Sequence, residues 1–329
     1  MIKQQSQSSG GHHEFSQRWF LSATPLLKTS GSIFSLVLLL SPLAEVEAQG
    51  EAQVFILPRV TTGVMFYKYD VGIEGKTSEI KDEVHLDEEL PFVGLGAVIA
   101  TNRFFLDASY QTTILEQDIK EDGEKLVGSV STLTDYTRDT ELDRQDYTLS
   151  FGYAMTNHFS LFAGYQYGDT NYDWTENVHD KKGGNVGTVF KTNEFLTGGP
   201  FLGVAGNLQI GSGSLGVSVA VADLDGKITT NRSHQPGDSS ITTLVARERE
   251  EKVSSSTTGF KVGVNWNAPI TQRLSYGISL DWFNYEFEGQ KGSFQDSVFG
   301  KGEHELLDLD SFEVEETLYS VRFSLNYRF

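Results

Sequence analysis

The last eleven residues, Tyr319 to Phe329, alternate without a break. Tyr319, Val321, Phe323, Leu325, Tyr327 and Phe329 are bulky and apolar; Ser320, Arg322, Ser324, Asn326 and Arg328 lie between them. A period of two puts these sets on opposite faces of a β-strand. The pattern recurs and predicts ten strands, at 58–70, 91–101, 103–114, 145–156, 158–169, 195–208, 214–226, 257–267, 273–286 and 315–329. Four connections are short: Thr101-Asn102, Thr156-Asn157, Gly211 to Ser214 and Ala268 to Gln272. Five are long: 71–90, 115–144, 170–194, 227–256 and 287–314.

Short and long connections alternate in strict order, so all tight turns fall at one end of the sheet. The expected fold is all-β: a transmembrane antiparallel up-and-down barrel of about ten strands, with eight or twelve as alternatives. A Greek-key sandwich does not sort its loops this way. The faces agree. In the ninth predicted strand Leu274, Tyr276, Ile278, Leu280 and Trp282 share one face, and Ser275, Gly277, Ser279 and Asp281 the other. Large residues on one side of a wall lined with glycine and serine on the other require an apolar solvent outside, which is lipid.

Aromatic residues gather near strand ends. Phe104, Phe159, Trp266 and Phe329 lie beside short turns or the C-terminus, and Tyr110, Tyr167, Trp282 and Tyr319 lie toward the long connections. At ~3.3 Å per residue and a ~45° tilt, these two groups bracket an apolar band on the order of 15–25 Å tall, as aromatic girdles do.

Composition is compatible with this. The chain has 38% hydrophobic residues, which suits strands with one face in a polar lumen. Ile33 to Ala44 is the only long apolar run. It is too short to span a bilayer, follows Lys28, and precedes the small-x-small triplet Val46-Glu47-Ala48, so residues 1–48 read as a signal peptide with a long n-region. The barrel domain is then 49–329. Three bases and three acids fall in residues 1–48, so the remainder keeps the full charge of -19. That balance argues against nucleic-acid binding. With no cysteine, disulfides, thiolate metal sites and thiol catalysis are excluded.

The final strand resembles the C-terminal strand of Gram-negative outer-membrane β-barrel proteins, on Tyr319, Phe323, Leu325, Tyr327 and the terminal Phe329. In that class such a strand is the recognition signal for the barrel-assembly machinery. The resemblance covers about 54–329 and implies outer-membrane lipid, lipopolysaccharide, the assembly machinery and periplasmic chaperones as partners. The strand count is similar to that of the omptin proteases and some small adhesins.

Candidate chemistry is sparse. Lys261, Asp281 and Arg322 face the lumen at similar depth on adjacent strands, with Asp107 and Glu316 further off. They form either a self-neutralising plug or an ion-selective constriction. The long connections are acidic: Asp82, Glu83, Asp87, Glu88 and Glu89; then Glu116, Asp118, Glu121, Asp122 and Glu124; then Glu303, Glu305, Asp308, Asp310 and Glu313. These offer ligands for divalent cations but lack EF-hand spacing. Asp135 with Asp139, and His234 with Asp238, are set wider than the omptin pairs. Of the histidines after residue 48, His85, His179, His234 and His304 fall in predicted loops and His158 beside a turn, so no Ser–His wall pair forms. The expected function is a narrow porin-like channel for ions or small solutes, with a closed surface-interaction barrel as the alternative and a loop-borne hydrolase behind both; no cofactor is expected.

Overall fold

The computed structural model describes residues 54–75, 81–114, 117–127, 132–237, 247–289, 292–298 and 309–329. The expected signal peptide lies outside them. Twelve strands follow in order: β1 Val54–Gly75, β2 Lys81–Thr101, β3 Phe104–Thr113, β4 Gln117–Val127, β5 Thr132–Ala154, β6 Phe159–Asp180, β7 Asn185–Ile210, β8 Gly213–Pro236, β9 Arg247–Pro269, β10 Leu274–Gly289, β11 Gly292–Val298 and β12 Leu309–Tyr327. All pairings are antiparallel, and β1 closes the ring on β12 from Arg59 opposite Asn326 to Glu74 opposite Ser311. β4 pairs with β5 beyond the end of β3, and β11 pairs with β9 beyond the end of β10. They extend two walls, so the ring has ten staves.

The short turns lie where the alternation breaks. Asn102 adopts a left-handed φ of 44° and Gly211 one of 59°, conformations that asparagine and glycine tolerate best. The other end differs from expectation. Much of what the pattern assigned to long loops is strand. β6 continues to Asp180 and β7 starts at Asn185, so the connection predicted at 170–194 is a hairpin that turns at 181–184. β5 begins at Thr132, inside the loop predicted at 115–144, and β8 runs to Pro236.

The reason is a change of polarity along each stave. On β10 the outward residues are Tyr276, Ile278, Leu280 and Trp282, then Asn284, Glu286 and Glu288. The inward ones are Gly277, Ser279 and Asp281, then Phe283, Tyr285 and Phe287. Alternation persists past Trp282 but the faces exchange character. On β12 Val321 and Tyr319 give way outside to Thr317, Glu315 and Glu313, while Glu316 is flanked inside by Leu318 and Val314. Outside, Tyr110, Tyr147 and Tyr167 stand side by side by register, as do Trp282, Tyr319 and Phe66. Below them the wall exposes Leu149, Phe151, Leu202, Val219, Leu280 and Phe323. A wall so apolar is stable against lipid and not against water.

The main core therefore lies inside the barrel, above the lipid-facing band. Met65, Tyr67, Tyr69, Leu90, Phe92, Leu142, Tyr172, Phe195, Leu224, Ile228, Val253, Tyr285, Phe287, Phe312 and Val314 form one buried cluster. Its contacts cross the bore. The ring of Tyr69 on β1 lies 5.1 Å from Phe195 on β7 and 5.8 Å from Tyr172 on β6. Phe195 in turn meets Phe287 of β10 edge-on at 6.1 Å. Centroid separations of ~4.5–7 Å are those of favourable aromatic pairs. Side chains from opposite walls therefore meet inside the bore at this level.

Candidate functional site

Beneath the apolar plug the lumen turns polar. All five charges expected inside face inward, and the structure supplies ion-pair partners for four of them. Arg322 of β12 reaches diagonally to Asp281 of β10, with Nε donating at 3.0 Å and Nη2 also engaged. Asp107 of β3 accepts from Arg59 of β1 at 2.6 Å, across the intervening β2. Glu316, fully buried, pairs with Arg144 of β5 across the bore. Arg144 also donates from Nη1 to Thr170 at 2.8 Å and from Nε to Asp146 at 3.0 Å, and Asp146 accepts a further bond from Gln111 at 2.8 Å. Buried ions are tolerable only when paired and hydrogen-bonded in this manner.

Lys261 is the exception. It lies beside Asp281 and Arg322 as the alternation predicts, yet its ammonium makes no hydrogen bond or ion pair with any described residue. It borders a chamber of about 210 Å³ walled by Arg59, Asp107, Arg144, Asp146, Asp281 and Arg322. A second space of about 180 Å³ shares Lys261 and Asp281 and is otherwise lined by Phe162, Phe201, Ala220, Ala222 and Phe283 among others. Small residues make the room. A Cβ on Gly96 would come within 2.8 Å of Arg59 Nε, and one on Gly263 within 2.9 Å of Asp281 Oδ1.

Arg59, Arg144 and Asp146 were not singled out from the sequence. Arg59 shares inward parity with Thr61 and Gly63, so the signal was present. Arg144 was lost because the fourth strand was drawn from 145, whereas β5 begins at Thr132.

The other candidates sit as follows. Phe104, Tyr110, Phe159, Tyr167, Trp266 and Trp282 point outward, as do Tyr319, Phe323, Leu325 and Tyr327 of the last strand; Phe329 follows it and is 73% exposed. Three histidines expected in loops are on strands. His85 on β2 pairs with Asp70 on the outer wall. His179 on β6 stands opposite Asp135. His234 is on β8, where its register places it inward, whereas Asp135 and Asp139 point outward from β5. These residues do not converge, and Asp238 and His304 lie outside the described residues. Most of the acidic runs do too; among the described residues no group of three or more histidine, aspartate or glutamate side chains is arranged to hold a metal.

The outer wall above the aromatic ring is acidic, with Asp70, Asp87, Glu89, Asp169, Glu194, Glu286, Glu288, Glu313 and Glu315 facing water. Crowding has a cost there. The Glu286 carboxyl is held above the ordinary carboxylate range, first by desolvation against the wall and then by Glu288, Glu313 and Glu315. Asp169 is raised likewise, by desolvation and then by Glu194 and Asp143.

Comparison with solved structures places this geometry. The outer membrane protease OmpT of Escherichia coli superposes with a TM-score of 0.60 at 13% sequence identity, covering 84% of this chain and 97% of that one. This chain shares the ring fold of that outer-membrane β-barrel. Looser likenesses are the translocator domain of the autotransporter NalP from Neisseria meningitidis (TM-score 0.38, 10% identity, 86% of this chain and 91% of that one) and the Pseudomonas putida toluene transporter TodX (0.35, 10%, 84% and 90%). No protein-family model and no curated protein matches the sequence. At such identities the likeness concerns the fold alone.

Proposed function

We propose that this outer-membrane barrel is a closed structural and surface-interaction protein that works from its acidic extracellular wall. The observation that carries the reading is the plug: Tyr69, Phe195, Tyr172 and Phe287 touch across the bore, and the Arg144–Glu316 pair spans it just below. A solute would have to break both layers to pass. The narrow-channel alternative needs a continuous path, and the chambers around Lys261 lie beneath the closure. The hydrolase alternative needs an acid–base pair facing one cleft, and Asp135, Asp139 and His234 lie on different faces. Above the lipid the acidic wall fits a partner bearing basic groups. The reading also requires lipid around the apolar band, and the assembly machinery at Tyr319 to Phe329 during biogenesis.

Planar-bilayer recording tests it. The purified barrel is expected to give no conductance steps above leak, and a triple Tyr69→Ala, Phe195→Ala, Phe287→Ala variant is expected to give them. Steps from the unsubstituted protein would overturn the closed reading and restore the channel.

A further inference from the structure

We infer that the gap between β2 and β4 is a docking edge for an extended basic segment of a partner protein, added as a strand along β2. On the surface-interaction reading above, this is the form that the basic partner takes. The staves part at this place. β2 pairs with β3 from Thr101 opposite Phe104 to Phe92 opposite Thr113, and Ile114 donates its N–H to the Pro91 carbonyl at 2.9 Å. Above that point β4 pairs with β5 alone. Two features of the sequence separate the strands. Pro91 has no N–H to return to its neighbour. Beyond Thr112 opposite Gln145, pairing resumes at Gln117 opposite Leu142, so four residues on one side face two of β5. A bulge of this kind bends its strand.

The edge left on β2 has a defined sense. The Pro91 carbonyl points toward β3, and backbone groups alternate sides along a strand, so the N–H and C=O of His85 and Asp87 point into the gap. On the outer face, His85 pairs with Asp70, and Asp87 with Lys68 at 3.0 Å, tying β2 to β1. Among the described residues no ladder joins β2 to β4. In lipid an open edge is untenable. This one opens only beyond Val93, exposed on the lipid side, where the outer face turns to Glu89, Asp87 and His85. In water such an edge recruits a further strand through main-chain hydrogen bonds. Charge sets the occupant. Residues 81–90 hold five acids and one lysine, and 117–127 four acids and two lysines. A second copy of this edge would bring like charges together, whereas a lysine- or arginine-bearing strand meets opposite charge on both sides.

The probes are fluorescein-labelled peptides of about eight residues, an ordinary strand length, titrated against the whole barrel in detergent and read by anisotropy. A peptide alternating lysine and valine is expected to bind, and its glutamate–valine counterpart is not. N-methylation of the central residues keeps the charge, removes the backbone donors, and should weaken binding about tenfold or more. Asp87→Pro removes one N–H from the gap together with a charge, at an edge position where proline is tolerated; Asp87→Ala removes the charge alone. The proline variant should bind several-fold more weakly than the alanine variant. Should Asp87→Pro fail to give the heat-modifiable folded band, the methylated peptide on the native barrel decides. Equal affinity for the methylated and unmethylated peptides, equal affinity of the two variants, binding of the glutamate peptide, or no binding at all would each overturn strand docking on β2. Binding that ignores methylation would sink the edge and keep the acidic wall. Current through the barrel would sink the closed reading and leave these titrations to judge the edge.

Discussion

The lower and upper halves of the barrel are built from the same strands with opposite polarity. Within the lipid band β8 turns Val217, Val219 and Val221 outward and Ser218, Ala220 and Ala222 inward. A few residues on it turns Asp223, Asp225 and Lys227 outward and Leu224 and Ile228 inward. The solvent explains the difference. Where lipid surrounds the wall, apolar side chains gain most outside and the small interior is left to paired ions. Where water surrounds it, the hydrophobic effect drives the same side chains inward and the barrel acquires an ordinary core. The lesson is that one antiparallel sheet can be a membrane protein at one end and a soluble barrel at the other with no break in backbone pairing.

The largest expected effect is in the upper half. Phe195 is 2% exposed and touches rings from two other strands. Phe195→Ala should cost about 3–5 kcal/mol, read as a lower urea midpoint for loss of the heat-modifiable folded band. An equal loss from Leu202→Ala, 66% exposed to the lipid side, would erase the distinction between the halves.

The next effect compares two positions on one face of one strand. Leu280→Arg places a charge in the lipid band and should cost about 2–4 kcal/mol of folding in bilayers. Glu286→Arg, six residues further along β10, removes repulsion among carboxylates and should cost nothing. Similar penalties at both sites would mean that lipid reaches higher than Trp282.

The smallest effect is on pH. Glu286 and Asp169 hold their protons more tightly in the folded barrel than in the unfolded chain. Their contribution to stability is therefore fully present below the ordinary carboxylate pKa of ~4 and is lost as pH rises through the raised folded values. Thermal stability should climb modestly between neutral pH and about pH 5, a window set by that ordinary value and the direction of the shifts. Glu286→Gln should flatten part of the climb, and a falling Tm over this interval would contradict the assignment.

Much of this was legible in the sequence. Ten staves, the sorted connections, the lipid face and the inward parity of Lys261, Asp281, Arg322, Asp107 and Glu316 all follow from a period of two. The strand extensions above the aromatic ring did not, because a stave was sought as a greasy face with constant sense. In Tyr285, Glu286, Phe287 and Glu288 the alternation is as regular as in Leu274 to Trp282, but inverted, and the strand was ended at 286, so Phe287 and Glu288 read as loop. The pairing within the bore was beyond reach for another reason. Arg59 meets Asp107 across a strand and Arg144 meets Glu316 across the lumen, so the contacts depend on barrel closure and side-chain length, not on register between neighbours. For the same reason Lys261 could not be distinguished from its paired neighbours by spacing.

The inversion itself is open to one direct measurement. The chain has no cysteine, so single cysteines at Tyr276, Ile278, Leu280, Trp282, Asn284, Glu286 and Glu288 can each carry a nitroxide on the outer face of β10. In bilayers, oxygen accessibility should dominate from 276 to 282, and accessibility to a water-soluble nickel complex should dominate from 284 to 288. A profile dominated by nickel along the whole face, or by oxygen as far as 288, would contradict the account.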